Sequence, residues 1–134
     1  MAHKILVVDD DPIMHHVLKH YLERNGFEML SASNGRGAIE LAHAQQPQLI
    51  VLDVRMPDMS GLAALRQLKE SEATKSIPVV VVTVNADRTT QMESDISGAA
   101  AFLAKPFRPD ELLAILRKLI RPETGGIPPI PSQD

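Results

Sequence analysis

The stretch I-L-V-V-D-D-D-P, Ile5 to Pro12, decides the fold. Four apolar residues run without alternation into three aspartates and then a proline. A short unbroken apolar run suits a strand covered on both faces, as in a parallel sheet. Three adjacent carboxylates repel one another, and each needs water or a counter-ion. The stretch therefore ends either in a solvated turn before a helix or beside something positive.

Four more apolar runs follow, at residues 27–30, 49–52, 78–82 and 100–103. Segments of helical period separate them. The first spans 12–25, with Asp11 as N-cap, Pro12 at the first helical position and Gly26 as the stop. Its wheel groups Ile13, Met14, Val17, Leu18, Tyr21 and Leu22 on an apolar face, and His15, His16, Lys19, His20 and Glu23 on a polar one. The second, at 35–46, is alanine-rich and lies between the cap Asn34 and the stop Pro47. The third, at 61–71, offers Leu62, Leu65 and Leu68 for burial. The fourth, at 86–97, has only Met92 and Ile96 of any apolar size. The fifth, at 109–121, carries Asp110 and Glu111 in its first turn and Arg117, Lys118 and Arg121 in its last, so both ends complement the helix dipole. Its aliphatic residues exceed one stripe; the surplus either fills the core edge or forms a dimer or partner face.

Strand and helix alternate five times, which predicts an α/β domain with a parallel sheet and helices on both faces. A chain of 134 residues fits one such domain and buries a sizeable core without staples. Aromatics make up only 3% of it, so the core is aliphatic. With no cysteine there is no disulfide or thiolate chemistry. The net charge of −3 gives no basic footprint for nucleic acid, and no apolar run is long enough to enter a membrane. Residues 122–134, with Gly125, Gly126, Pro128, Pro129 and Pro131, read as a flexible tail behind a domain of residues 1–121.

In a doubly wound sheet, ligands bind beyond the carboxyl ends of the strands. The first strand delivers Asp9, Asp10 and Asp11 there; the third delivers Asp53, the fourth Thr83 and the fifth Lys105. Carboxylates from separate strands make an oxygen site for Mg²⁺, and the ion offsets their repulsion. A metal, a lysine and a hydroxyl together suit a phosphoryl group, and one carboxylate can attack phosphorus to become an aspartyl phosphate. Singly, each residue reads as a cap, a strand-end hydroxyl or a surface charge. Jointly, they point to phosphoryl chemistry.

Asp9-Asp10, Asp53 in D-V-R-M-P-D-M-S-G, Thr83 and Lys105-Pro106, in that order, resemble the response regulator receiver domain of two-component signalling over roughly residues 4 to 121. The resemblance implies a flavodoxin-like (βα)5 fold with a doubly wound five-stranded parallel sheet of order 2-1-3-4-5. It implies Asp53 as phosphoacceptor, with Asp10, Asp53 and the Arg55 carbonyl as direct Mg²⁺ ligands and Asp9 holding the ion through water. Lys105 and Thr83 would each bind a phosphoryl oxygen, Phe102 would be an aromatic switch residue, and the Lys105–Pro106 bond would be cis. Arg55 and Asn85 would flank the phosphoryl group and tune hydrolysis. Asp11 matches a helix cap rather than a ligand. The chain departs from the family at Val84, where a small residue is usual, and a β-branched side chain there narrows access to Asp53.

The implied function is a cytoplasmic phosphoacceptor switch rather than an enzyme. Its partners would be a sensor histidine kinase or histidine phosphotransfer protein upstream and a protein target downstream, with no nucleic acid contacted directly. Phosphorylation would alter a surface made by the fourth helix, fifth strand and fifth helix, which could also carry a homodimer. Two alternatives stand beside this stand-alone switch. One is the receiver part of a longer regulator with an output domain. The other is a metal-dependent phosphatase of the haloacid-dehalogenase type, for which Asp9 and Asp11 have the right spacing. The vicinal pair His16 and His20 has metal-binding spacing without a third ligand, and reads as a solvated face.

Overall fold

The structure, a computed structural model, describes residues 3–56, 58–84 and 87–120. Strands and helices alternate as β1 (His3–Val8), α1 (Pro12–Arg24), β2 (Phe27–Ala32), α2 (Gly35–Gln45), β3 (Leu49–Asp53), α3 (Gly61–Glu70), β4 (Val79–Thr83), α4 (Arg88–Ile96), β5 (Ala101–Ala104) and α5 (Pro109–Leu119). All pairings are parallel, in the order β2-β1-β3-β4-β5. This is the flavodoxin-like doubly wound sheet that the resemblance implies.

The unbroken apolar runs follow from burial on both faces. Ile5 and Val7 of β1 pack with Leu18, Leu22, Leu112 and Leu116 from α1 and α5. The alternate residues Leu6 and Val8 pack with Ala38, Ala42, Leu65 and Leu68 from α2 and α3. A pleated strand sends neighbours to opposite faces, so a two-sided core leaves no position for a polar residue. The central strands outrun the apolar pattern by one residue at their carboxyl ends. Asp53 pairs in register with Val82 and Thr83 with Ala104, because the ladder is made by backbone and tolerates a polar side chain at the rim. The polar residues thereby become extensions of rigid strands.

The helix caps form as the sequence indicates. Ile13 N–H donates to Asp11 Oδ1 at 2.9 Å and Gly37 N–H to Asn34 Oδ1 at 2.7 Å. Two helix faces differ from expectation. On α1, Leu18 and Leu22 are buried, but Ile13, Val17 and Tyr21 are 71%, 38% and 40% exposed. The sheet covers only part of the wide apolar face, and a helical wheel cannot show where that cover ends. On α4, the apolar Met92 and Ile96 are exposed, whereas Thr90 and Ser94 are buried. The Ser94 hydroxyl satisfies itself by donating to the Thr90 carbonyl at 2.9 Å, one turn back. On α5, Leu112, Leu113 and Leu116 are buried, while Ile115, Leu119 and Ile120 pack half-buried against the same cluster, so most of its surplus fills the core edge. Asn85, Ala86, Arg121 and the tail 122–134 lie outside the described residues.

Two substitutions should separate these packing modes. Leu65→Ala in the two-sided core should lower the unfolding free energy by about 2–5 kcal/mol. Ser94→Ala, though equally buried, should change it by about 0.5 kcal/mol or less, because the lost hydrogen bond is local to the helix. Urea denaturation of both variants checks this, and a Ser94→Ala cost approaching that of Leu65→Ala would contradict it.

Candidate functional site

The ends of β1, β3, β4 and β5 meet at one rim. Asp9 follows β1 and is buried; its N–H donates to the Ala32 carbonyl at 3.1 Å, and the Asp11 N–H donates to Asp9 Oδ1 at 2.9 Å. These bonds turn the chain from strand to helix and fix the Asp9 carboxylate. Asp10 stands exposed beside it. Asp53 closes β3 at 5% exposure and accepts from the Arg55 N–H at 3.1 Å. Thr83 closes β4, fully buried, and its carbonyl accepts the Lys105 N–H at 2.9 Å. Lys105 follows β5, and its bond to Pro106 is cis.

Lys105 joins the set. Its Nζ donates to Asp9 Oδ2 at 2.6 Å and to Asp53 Oδ2 at 2.8 Å. Oxygen atoms of Asp9, Asp10 and Asp53 lie within 4.8 Å of one another, so one cation can touch all three. Hard carboxylate oxygens of this kind suit Mg²⁺ and leave room for water or phosphate oxygens as further ligands. The residues present therefore fit the metal. They line a cleft of about 490 Å³ together with Arg55, Met56 and Val84. Val84 is 61% exposed, placing its branched side chain in the open part of that cleft.

Burial pushes the Asp53 carboxyl above its ordinary range, and the hydrogen bonds from Lys105 and the Arg55 amide only partly pull it back. For Lys105, burial opposes the charge, but the hydrogen bonds to Asp53 and Asp9 outweigh it and raise the ammonium's pKa. The lysine thus stays charged.

Not every residue singled out from sequence lines this cleft. Phe102 lies on β5 opposite Val81 and packs half-buried against the α2–α3 core cluster. Asp11 does line the cleft, but its Oδ1 accepts the Ile13 N–H as a cap and it stands outside the cluster of three acids, which weakens the Asp-x-Asp reading of a phosphatase. His16 and His20 are exposed. Two contributors were not foreseen. His15, expected on the solvated face of α1, is half-buried with Nε2 at 2.6 Å from the Asp9 carbonyl. A carbonyl only accepts, so that nitrogen is the protonated one. Asp58 accepts the N–H groups of Gly35 and Arg36 at 2.8 and 3.0 Å. The signal for His15 was its place one helical turn past the aspartates; for Asp58 no local signal exists, since its partners lie 22 and 23 residues away.

The model of the response regulator receiver domain matches residues 5–117. The chain belongs to that family. The transcriptional regulatory protein SrrA of Staphylococcus aureus is 37% identical over 121 residues, covering 90% of this chain and 49% of that protein. This receiver domain thus spans about half the length of the curated relatives it matches. Among solved structures, the chemotaxis protein CheY4 of Vibrio cholerae is 29% identical with a TM-score of 0.84, covering 90% of this chain and 100% of that one. The receiver domain of a Pseudomonas aeruginosa sensor histidine kinase is 28% identical with a TM-score of 0.82, covering 89% and 98%, and has a magnesium ion coordinated in its active site cleft. Receiver domains are generally phosphoacceptor signalling domains. Among the described residues no helix is long and apolar enough to cross a membrane.

A raised carboxyl pKa means that ionising Asp53 costs stability. That cost is absent below the ordinary carboxylate pKa and complete above the raised one. Asp53→Asn should therefore raise the melting temperature at neutral pH, and the gain should shrink as pH falls toward about 4. Identical melting curves for variant and wild type at neutral pH would show that burial is not the dominant influence on Asp53.

Proposed function

We propose that this receiver domain accepts a phosphoryl group on Asp53 from a phosphohistidine of a sensor histidine kinase or a histidine phosphotransfer protein. The observation that carries the reading is the meeting of Asp53 with Asp9, Asp10 and Lys105 at one rim. Asp10, Asp53 and the Arg55 carbonyl would hold Mg²⁺, with Asp9 acting through water. When bound, the ion supplies positive charge that neutralises the carboxylates and the incoming phosphoryl oxygens.

The chain's own groups do the rest. An Asp53 carboxylate oxygen attacks phosphorus; the O–P bond forms as the N–P bond to the donor histidine breaks, and the electron pair returns to the ring nitrogen. Lys105, already hydrogen-bonded to Asp53, shifts to a phosphoryl oxygen, and the Thr83 hydroxyl donates to another. Arg55 would tune the lifetime of the phosphoryl group, as would Asn85, which lies outside the described residues. Phe102 turns from its half-buried place as Thr83 moves, and the surface of α4, β5 and α5 changes for a downstream protein or a second copy. The exposed Met92 and Ile96 on α4 supply apolar area to that surface. A near-complete shift of such a two-state surface needs about 5.5 kcal/mol of differential stabilisation, within reach of a phosphoryl group paired to a cation and an ammonium. The greater length of the curated relatives supports the reading of a regulator with an output domain as the alternative to a stand-alone switch.

The donor side also has an observation of its own. A groove lined by Ile13, Val17, Phe107 and Pro109 shares Asp11 with the acidic cleft. Its exposed apolar residues beside the acidic cleft support a protein donor over a small phosphate ester.

The direct test is mass spectrometry after incubation with Mg²⁺ and acetyl phosphate. A single phosphoryl adduct should form on the wild type and be absent from Asp53→Asn; an adduct retained by Asp53→Asn would sink the assignment. For the donor, Ile13→Ala should slow transfer from a phosphorylated histidine phosphotransfer protein about tenfold, the cost of roughly 1.4 kcal/mol of docking, while leaving acetyl phosphate labelling unchanged. Equal slowing of both would place the defect in the acidic site instead.

A further inference from the structure

The segment between Asp53 and Gly61 carries Asp53 and the Arg55 carbonyl, and two ties hold it. At one end the Gly61 N–H donates to the Val54 carbonyl at 2.7 Å. A Cβ at Gly61 would overlap the Asp53 carbonyl oxygen, so only glycine lets α3 start so close to the end of β3. The second tie, within the segment, is Asp58. Its Oδ1 accepts from the Gly35 N–H at 2.8 Å and its Oδ2 from the Arg36 N–H at 3.0 Å, both in the first turn of α2. Oδ1 also accepts the Met59 N–H at 2.9 Å.

The first turn of a helix presents N–H groups without intrahelical partners. The local cap, Asn34, serves only the Gly37 N–H. The two earlier donors go to a carboxylate from a different part of the chain. This divides the labour at α2: Asn34 secures the helix, and Asp58 secures the helix to the β3–α3 segment. The fit is close. A Cβ at Gly35 would run into the Met59 side chain, so glycine there lets the segment lie directly against the helix start. The backbone donors also hold the Asp58 carboxyl below the ordinary range, so both oxygens remain acceptors at neutral pH.

We propose that Asp58 is a positioning residue for the acidic site: by capping α2 it fixes the segment that presents the Arg55 carbonyl and Asp53 to the cation. The inference rests on the reading of Arg55 as a metal ligand. Asp58 touches neither metal nor phosphate itself; it acts through the backbone three residues away. Partners that orient metal ligands from outside typically change affinity by 10- to 100-fold when lost, and a backbone tie belongs at the low end of that range.

Three variants of the full chain test it, each measured by Mg²⁺ titration calorimetry, thermal melting and amide hydrogen exchange without metal. Asp58→Ala should weaken Mg²⁺ binding about tenfold. Asp58→Asn keeps an acceptor oxygen and should lose less. Asn34→Ala removes the other cap of the same helix; it should lower the melting temperature as Asp58→Ala does, yet leave the Mg²⁺ dissociation constant within about twofold of wild type. Amides of residues 54–56 and 59–61 should exchange faster in Asp58→Ala and not in Asn34→Ala. The proposal is overturned if Asp58→Ala binds Mg²⁺ like the wild type, or if Asn34→Ala weakens binding equally. Should the wild type bind no Mg²⁺, the metal reading falls separately, and unchanged exchange at these amides in Asp58→Ala overturns the tie itself.

Discussion

The ammonium of Lys105, hydrogen-bonded at once to Asp9 and Asp53, is the interaction on which the rest of the rim depends. Two buried carboxylates side by side repel strongly and lose hydration. One lysine between them offsets part of that cost. With Asp10 added, three acids face a single ammonium, and the remaining excess of negative charge is what a divalent cation meets. The rim is poised rather than neutral. The Lys105 backbone N–H also donates to the Thr83 carbonyl, so the ammonium's residue is tied to the end of β4 as well as to the acids.

The parallel sheet makes this possible. Its three central strands are covered on both faces, so their backbones are rigid and their carboxyl ends are fixed relative to one another. Charged side chains placed one residue past such ends inherit that rigidity. The β3–α3 segment is not part of the sheet, and it is steadied by backbone ties instead: Gly61 to Val54 and Asp58 to the start of α2.

On α4 the arrangement is reversed. It turns hydroxyls inward and apolar residues outward, so it gains little from burial where it meets β5. Elements held by little buried apolar area are those that open or shift most readily. On α4, beside the strand that leads into Lys105, Thr90 and Ser94 are the buried residues, whereas α1, α2, α3 and α5 each contribute apolar residues to the core.

Much of the fold and site was legible in the residues. Unbroken runs such as Ile5–Val8 and Val79–Val82 announce two-sided burial, and the ordered acids, threonine and lysine at their ends announce convergence, because strand ends in a parallel sheet lie along one edge. The tertiary structure decided what periodicity does not encode. It left Ile13, Val17 and Tyr21 exposed, since a helix face becomes core only where another element covers it. It recruited His15 and Asp58 through backbone carbonyl and amide groups, which every residue carries and which therefore leave no mark in a sequence. Side-chain type and spacing fixed which groups meet at the rim; long-range backbone hydrogen bonds and the extent of covering surface, properties of the assembled chain alone, determined how they are held.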